Sequence, residues 1–467
     1  MLEDKLALIL GPKGWITGPE GNSWTRDWLN RHGEAPLGVA RPASTEEVSA
    51  VMAATHAAGV AVVPQGGNTG LCAAAVAGHA GAVILSLSRM SRIQSLDLTG
   101  GSVTLEAGVV LARLHDELDG TGQMFPMHLG SEGSAMIGGL IGTNAGGSQA
   151  FRYGMMQDLV LGLEVVLPDG TVWDGLRSVQ KDNAGYQLRK LFCGAEGTLG
   201  IVTRAVLRLF PAPRQRVTAL LALPDFASAV DFGALARAEA GEFLQAMEFF
   251  SDTGLDLVLR HVAGLIWPLE SRAEAYLLLE LGAGSPHVAL DEITSGLLEQ
   301  GMVRGLILDG ALAASEAQRA AFWRLREEQP EGQRVEGPQL KHDISVPPAQ
   351  IAKFVEAGSA LCQSRIPGVR INPFGHLGDG NIHYNLTPPE GHADFAGVEI
   401  ALALDLARLA SDLGGSFAAE HGLGRTKIAL ADALRSKVER TLQWRIKTAL
   451  DPAGVMNPGV IFAGTDK

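Results

Sequence analysis

His376 and His383 lie seven positions apart, with Leu377-Gly378-Asp379-Gly380 following the first of them. Those four residues read as a hairpin loop with glycines at the strained positions, which pairs His376 with Asn381. Side chains alternate along a strand, so Asn381, His383 and Asn385 share one face. Cross-strand neighbours share that face too, which adds His376. Two imidazoles and two amides on one side of a sheet suit a metal or catalytic centre. The plainer alternative is a set of hydrogen-bonded structural histidines. A carboxylate candidate is Glu420, within Phe417-Ala418-Ala419-Glu420-His421-Gly422-Leu423-Gly424. On an extended backbone Glu420 and His421 point opposite ways, so one reaches a metal while the other faces something else. The alternative there is a helix N-terminal turn with a solvent-facing pair. Arg326, in the helical stretch Phe322–Glu328, and Lys341, in the apparent strand Gln339–Val346, are cations suited to a carboxylate. Either alone is an ordinary surface charge.

Glycine supplies a second kind of chemistry. Pro64-Gln65-Gly66-Gly67-Asn68-Thr69-Gly70-Leu71 follows a strand-like run. Without a Cβ the backbone turns its N–H groups towards an anion, as a pyrophosphate requires. A tight surface turn is the alternative for that loop by itself. A second cluster runs from Ser131-Glu132-Gly133-Ser134 through Gly138-Gly139 to Thr143-Asn144-Ala145-Gly146-Gly147. A third is Gly194-Ala195-Glu196-Gly197-Thr198-Leu199-Gly200-Ile201. None ends in Gly-Lys-Ser/Thr, and none makes the strand–GxGxxG–helix unit of a Rossmann fold.

The elements around these residues follow from hydrophobic periodicity and turn cues. Residues 1–35 read as an N-terminal helical segment. From 36 to 213 the pattern is mixed. Ser44 and Glu47 make a capping box before the helix Val48–Ala58. Strand-like runs follow at Val60–Pro64, Ala82–Ser86, Ser102–Glu106, Leu163–Leu167 and Gly200–Arg208. From 214 to 425 strands (Val217–Leu223, Ala275–Leu281, Gln339–Val346, Arg370–Asn385) alternate with helices (Phe226–Ala240, His287–Gln300, Ser315–Glu328). Residues 426–467 form a C-terminal helical segment, with Asp432–Leu450 as one helix.

Composition narrows the function classes. The chain has 467 residues, 46% hydrophobic and 19% charged, which excludes intrinsic disorder. Its net charge of -13 disfavours binding to a phosphate backbone. Cys72, Cys193 and Cys362 form no CxxC pair and no disulfide framework, as expected in a reducing compartment. No apolar run follows a basic start and no stretch nears the ~18 apolar residues of a membrane span. A cytoplasmic location, with peripheral membrane association left open, is therefore expected.

The three glycine loops, in their order and spacing, resemble the FAD domain of the vanillyl-alcohol-oxidase/p-cresol-methylhydroxylase superfamily. The resemblance implies flavin binding by Pro64, Gly66, Gly67, Asn68, Thr69, Gly70, Leu71, Ser134, Gly138, Gly139, Thr143, Asn144, Gly147, Gly200 and Ile201. In that family the first loop wraps the pyrophosphate, the second lies along diphosphate and flavin, and the third approaches the adenine–ribose end. Some relatives tether the flavin through a first-loop histidine. Asn68 and Thr69 occupy that stretch here, so the FAD is expected to be non-covalent. The runs GHLGDGNIHYN, EHGLGRTK and the terminal MNPG resemble the C-terminal part of the FAD-linked D-2-hydroxyacid dehydrogenases, over roughly residues 35–463. The fold implied is α+β: an FAD-binding domain, a substrate (cap) domain with an antiparallel sheet, and the C-terminal helical segment packing back on the FAD domain.

Carried over by motif, His376, His383 and Glu420 hold a divalent metal, usually zinc in that group. His421 is the general base, Asn381 contacts substrate, Arg326 and Lys341 bind carboxylates, and Asn457 joins the cofactor residues. The implied reaction oxidises a D-2-hydroxyacid to a 2-oxoacid, with the C2 hydride going to flavin N5. An electron-transfer flavoprotein or a quinone is the implied acceptor, and a homodimer is the assembly to test. One departure bears on substrate choice. The D-2-hydroxyglutarate branch can carry a threonine four residues after the arginine, where this chain has Pro330. Proline offers neither hydroxyl nor N–H, so broader specificity is expected. The alternatives are a D-lactate dehydrogenase or a glycolate-oxidase-type flavoprotein subunit.

Overall fold

A computed structural model describes residues 1–395 and 397–464. The chain divides into two compact units, one comprising Met1–Gly147, Tyr153–Pro211 and Glu420–Lys467, the other Ser148–Arg152 and Ala212–Ala419. Among the described residues no helix is long and apolar enough to cross a membrane.

The first unit holds two main sheets. A four-stranded sheet runs Trp15–Ile16, Gly38–Ala40, Val83–Ser86, Val62–Gln65, and both pairs made by Val83–Ser86 are parallel. The helix Thr45–Ala58 supplies the crossover. Its Ser44 Oγ accepts from the Glu47 N–H at 3.3 Å, as expected of a cap. The Glu47 carboxylate reaches one residue further back than a capping box requires, to the Ala43 N–H at 2.7 Å. A five-stranded antiparallel sheet runs Ile93–Asp97, Ser102–Glu106, Ile201–Arg208, Val160–Val166, Val172–Gly175. One apolar cluster, including Val51, Leu105, Leu163 and Ile201, fills this unit.

The second unit is built on a seven-stranded antiparallel sheet. Its order is Asp309–Leu312, Gln215–Leu223, Ala275–Ala283, Leu244–Ser251, Arg370–His376, Asn381–Thr387, Leu340–Ser345. Helices Phe226–Ala240, Leu290–Val303, Ile351–Arg365 and Glu399–Asp412 cover one face and build the larger core there. Helices Asp252–His261, Glu316–Glu327 and Gln329–Glu336 cover part of the other. Strand Leu244–Ser251 and helices Asp252–His261, Gln329–Glu336, Ile351–Arg365 and Glu399–Asp412 are absent from the sequence reading. The strand is buried along its whole length, so burial on both faces erases the alternation that marks a half-exposed strand.

The C-terminal segment corrects one expectation. Instead of one helix over Asp432–Leu450 there are two, Ile428–Leu434 and Lys437–Leu450. Arg435 leaves the helical region (φ -83°, ψ 147°) and Ser436 starts the second helix by accepting from the Glu439 N–H at 3.1 Å. A serine N-cap inside an apparently continuous helical pattern is the break. The Lys447 Nζ then donates to the Thr198 and Met456 carbonyls at 2.8 Å each, fixing this helix to the third glycine cluster within the first unit.

Candidate functional site

Strand Asn381–Thr387 reads N-I-H-Y-N-L-T, and the alternation decides its two faces. Ile382, Tyr384 and Leu386 are fully buried in the larger core. That burial commits Asn381, His383, Asn385 and Thr387 to the opposite face. The neighbouring strands are in register with it. His376, Phe374 and Asn372 pair with Asn381, His383 and Asn385 on one side, and Ser345, Asp343 and Lys341 pair with them on the other. The hairpin expected from sequence is therefore present, with His376 opposite Asn381. The rings of His376 and His383 have centroids 5.8 Å apart, and their ligating nitrogens lie within 4.8 Å. An Asp343 carboxylate oxygen lies within the same distance of a His383 ring nitrogen.

Glu248 is the residue that sequence reasoning missed. It sits on strand Leu244–Ser251 directly opposite His376 and is 1% exposed. One carboxylate oxygen takes the His376 Nδ1 at 2.6 Å, and the other accepts from Arg326 Nη2 at 2.9 Å. With Nδ1 serving as donor, Nε2 is the ring nitrogen that carries the lone pair. A lone glutamate in the apolar run Ala246-Met247-Glu248-Phe249-Phe250 was the available signal. Arg326 is 6% exposed, not a surface cation, and its guanidinium lies 4.9 Å from the Phe374 ring centroid. Its Nε has no hydrogen-bond partner among the described residues. Lys341 is half-buried opposite Asn385.

The two amides of this face differ. Asn385 donates to Gln333 Oε1 at 3.0 Å, and Gln333 donates on to Thr387 Oγ1 at 3.1 Å, so Asn385 is tied into the scaffold. Asn381 donates to Asp343 Oδ1 and the Ile344 carbonyl, while its own Oδ1 is buried with no partner among the described residues. A buried acceptor without a donor is costly, and here it marks a position for an incoming hydroxyl or N–H. Pro330 stands in the first turn of helix Gln329–Glu336, where a missing N–H costs nothing.

Ser345 and Ser416 form an antiparallel bridge at the edge of this sheet, and the Ala419 N–H donates to Asp343 Oδ2 at 3.1 Å. Glu420 and His421 are the next two residues of the chain. They lie in a bend, neither in a strand nor at a helix start, which corrects both expectations for the dipeptide. What shapes the segment that follows is Glu196. Its buried carboxylate accepts from the Leu423 and Gly424 N–H groups at 2.9 and 2.8 Å. Burial pushes the Glu196 carboxyl up to about 7 against those two donors, which hold it down. Gly422 has φ +73°, and a Cβ there would meet Glu196 Oε1 at 2.8 Å. The half-buried Arg425 guanidinium, lowered by desolvation, donates to the Val76 and Pro458 carbonyls and to Asn457 Oδ1. The Asn457 amide donates in turn to the Ala74 and Glu196 carbonyls. Asn457 is thus committed to bracing the glycine loops against one another.

The glycine clusters of the first unit abut. A Cβ on Gly67 would lie 1.9 Å from the Ser134 carbonyl oxygen, so only glycine lets the first loop reach the second. Pro64 is the third residue of strand Val62–Gln65, which runs into that loop. Asn68 takes a left-handed φ of +54° and donates to the Arg26 carbonyl at 2.7 Å. Thr69, Gly70 and Leu71 are at least partly exposed, as is Ser134. Gly138 and Gly139 open helix Ile137–Thr143, whose Thr143 hydroxyl donates to the Gly139 carbonyl. Asn144 follows with φ +51° and accepts from the Gln157 N–H at 2.8 Å, and Gly147 packs on the His128 carbonyl. Gly200 leads into the buried Ile201, at the head of the central strand of the five-stranded sheet. The Cβ positions of Gly70, Gly139 and Gly142 face open space. Loops closed against each other on one side and open on the other fit a dinucleotide.

Residues 36–175 match a family model described as an FAD binding domain, and residues 212–461 match one described as the C-terminal domain of FAD linked oxidases. A protein of Xanthomonas citri pv. viticola named D-2-hydroxyglutarate dehydrogenase is 37% identical over 96% of this chain and 92% of its own length. One of the same name from Stutzerimonas stutzeri is 36% identical over 99% of each chain. The Arabidopsis thaliana protein named mitochondrial D-2-hydroxyglutarate dehydrogenase is 35% identical over 96% of this chain and 79% of its own. Among solved structures, p-cresol methylhydroxylase with substrate bound superposes with a TM-score of 0.74 at 16% identity, covering 98% of this chain and 95% of that one. The 4-ethylphenol oxidase of Gulosibacter chungangensis gives 0.75 at 17%, covering 100% and 97%. The likeness to these solved structures is one of fold. With abutting glycine loops in one unit and a histidine-bearing sheet in the other, both on matched family segments, the chain belongs to the FAD-linked D-2-hydroxyacid dehydrogenases, has the fold of p-cresol methylhydroxylase, and is an FAD-dependent oxidoreductase.

Proposed function

We propose that this chain oxidises D-2-hydroxyglutarate or a closely similar D-2-hydroxyacid to the 2-oxoacid, with His376, His383 and Glu420 holding a divalent metal of the zinc class and His421 acting as general base. The observation that carries this reading is the buried Glu248 carboxylate at His376 Nδ1, which orients the ring on the face that also bears His383. Two imidazoles and one carboxylate are the donor set of a catalytic metal site with open positions. Glu420 comes one residue after Ala419, whose N–H is bound to Asp343.

When bound, the metal supplies Lewis acidity towards the substrate hydroxyl and carboxylate, and FAD supplies the acceptor for the C2 hydride at N5. The residues of the chain do the rest. His421 takes the hydroxyl proton, a task suited to a group titrating near neutrality. Asn381 offers its orphaned Oδ1 to the substrate or to a water that bridges to it. Lys341 adds a positive charge for a carboxylate. An electron-transfer flavoprotein or a quinone would serve as the electron acceptor.

A second reading is favoured by one contact. Arg326 Nη2 is already engaged by Glu248, and Pro330 provides no hydroxyl. A substrate without a distal carboxylate, such as D-lactate, needs neither. Anaerobic bleaching of the flavin by a panel of D- and L-2-hydroxyacids separates the two readings, and bleaching by none of the D-acids refutes both. Stopped-flow flavin reduction with metal analysis then tests the roles. His421→Ala is expected to keep its metal and slow reduction ~10²–10⁴-fold, whereas Glu420→Ala loses metal first. The reverse pattern would swap the assignments.

A further inference from the structure

A second group of metal-ligating side chains lies in the first unit, apart from the residues discussed above. His115 is on helix Leu111–Leu118, and His128 and Glu132 lie in the segment that opens the second glycine cluster. The Nδ1 atoms of both imidazoles lie near one oxygen. His128 Nδ1 is 3.2 Å from Glu132 Oε2, and His115 Nδ1 is 3.7 Å from the same atom. The two rings lie 4.5 Å apart between centroids, and all three ligating atoms fall within 4.8 Å of one another.

We propose that His115, His128 and Glu132 form a second divalent-cation site, of the zinc class, that ties helix Leu111–Leu118 to the segment opening the second glycine cluster. The distances are those of a coordination shell. Ligand atoms at ~2.05 Å from a tetrahedral zinc are ~3.4 Å from each other, and the two measured edges bracket that value. The donor set, two imidazoles and a carboxylate, suits zinc and its neighbours better than magnesium or calcium, which prefer oxygen. As a simple ion pair the arrangement is poor, because a second imidazole crowds the first over one oxygen.

The backbone links across this cluster are already in place. The Ala112 N–H donates to the Glu132 carbonyl at 3.0 Å and the Leu111 N–H to the Ala135 carbonyl at 2.9 Å. A bound cation therefore rigidifies an existing contact, with one coordination position left for water.

The test is zinc stoichiometry on the full-length, FAD-loaded chain, by titration against a chromophoric chelator. Wild type is expected to bind two zinc ions and His383→Ala one. Adding Glu132→Gln or His115→Gln to His383→Ala is expected to weaken the remaining site at least ~10-fold, since loss of even an outer-shell partner costs that much. Cobalt(II) bound to His383→Ala should show tetrahedral visible absorption, which Glu132→Gln removes while FAD content and the circular dichroism spectrum stay unchanged. Zinc binding to His383→Ala that is indifferent to both substitutions, or no binding to His383→Ala at all, overturns the proposal. If His383→Ala still binds two ions, the histidine-sheet reading fails, and loss of one of them on Glu132→Gln still supports this site.

Discussion

Replacing Glu248 separates the two things it does. Its carboxylate is 1% exposed and serves Arg326, itself 6% exposed, on one oxygen and His376 on the other. Glu248→Ala leaves a buried guanidinium without its counter-ion. Breaking a buried pair from one side costs about 3–5 kcal/mol, a large share of the ~5–15 kcal/mol that holds a typical domain together. Glu248→Gln keeps shape and volume but can accept from only one of the two donors while turning its NH2 towards the other. An unsatisfied buried donor costs about 1–3 kcal/mol, so Gln should fall between wild type and Ala in guanidinium unfolding. Metal affinity should fall in both variants, by ~10–100-fold, because His376 loses the partner that orients its ring. The assays are chemical denaturation for stability and zinc titration for the ligand set. If Glu248→Ala unfolds within ~1 kcal/mol of wild type, Arg326 is not dependent on this pair. Wild-type zinc affinity in Glu248→Gln would refute the claim that Glu248 prepares His376.

Arg326→Gln distinguishes bracing from substrate binding. If Arg326 acts through Glu248, turnover should drop for D-lactate and D-2-hydroxyglutarate alike, whereas a rise in KM confined to the dicarboxylate would show that it grips substrate. Glu196 should impose a pH slope on stability. Its carboxyl is raised from 4.5 to about 7, so the folded chain holds a proton there that the unfolded chain has released. The associated stability is present below pH ~4.5 and is lost as pH rises to ~7, about 3 kcal/mol in all. Glu196→Gln should flatten the difference between pH 5 and pH 7.5 in denaturation midpoints, and an unchanged slope would show that another group titrates. Gly67→Ala puts a Cβ 1.9 Å from the Ser134 oxygen. The first loop must then part from the second, and the purified protein should lose most of its yellow FAD absorbance while the second unit keeps its fold, as read by limited proteolysis.

The histidine face and the glycine loops are legible in the residues because their physics is local. Asn381 to Thr387 alternates polar and apolar, so the backbone period alone puts the polar set on one face, and Gly378 and Gly380 mark the hairpin that brings His376 opposite Asn381. Loops rich in glycine, serine and asparagine declare themselves by composition. What the tertiary structure alone decided is who partners these groups. Glu248 meets His376 across 128 positions of chain and Glu196 meets Leu423 across 227. No local periodicity encodes contacts at that separation, because they arise from strand order in the seven-stranded sheet and from the return of the C-terminal segment to the first unit. The same limit explains Arg326, a charged helix residue by pattern, which becomes a buried ion-pair partner once strand Leu244–Ser251 lies beneath it. Sequence determined which residues are candidates for the chemistry; the fold determined which carboxylate meets His376 and Arg326, since an ionised group can be buried only where a long-range partner arrives to meet it.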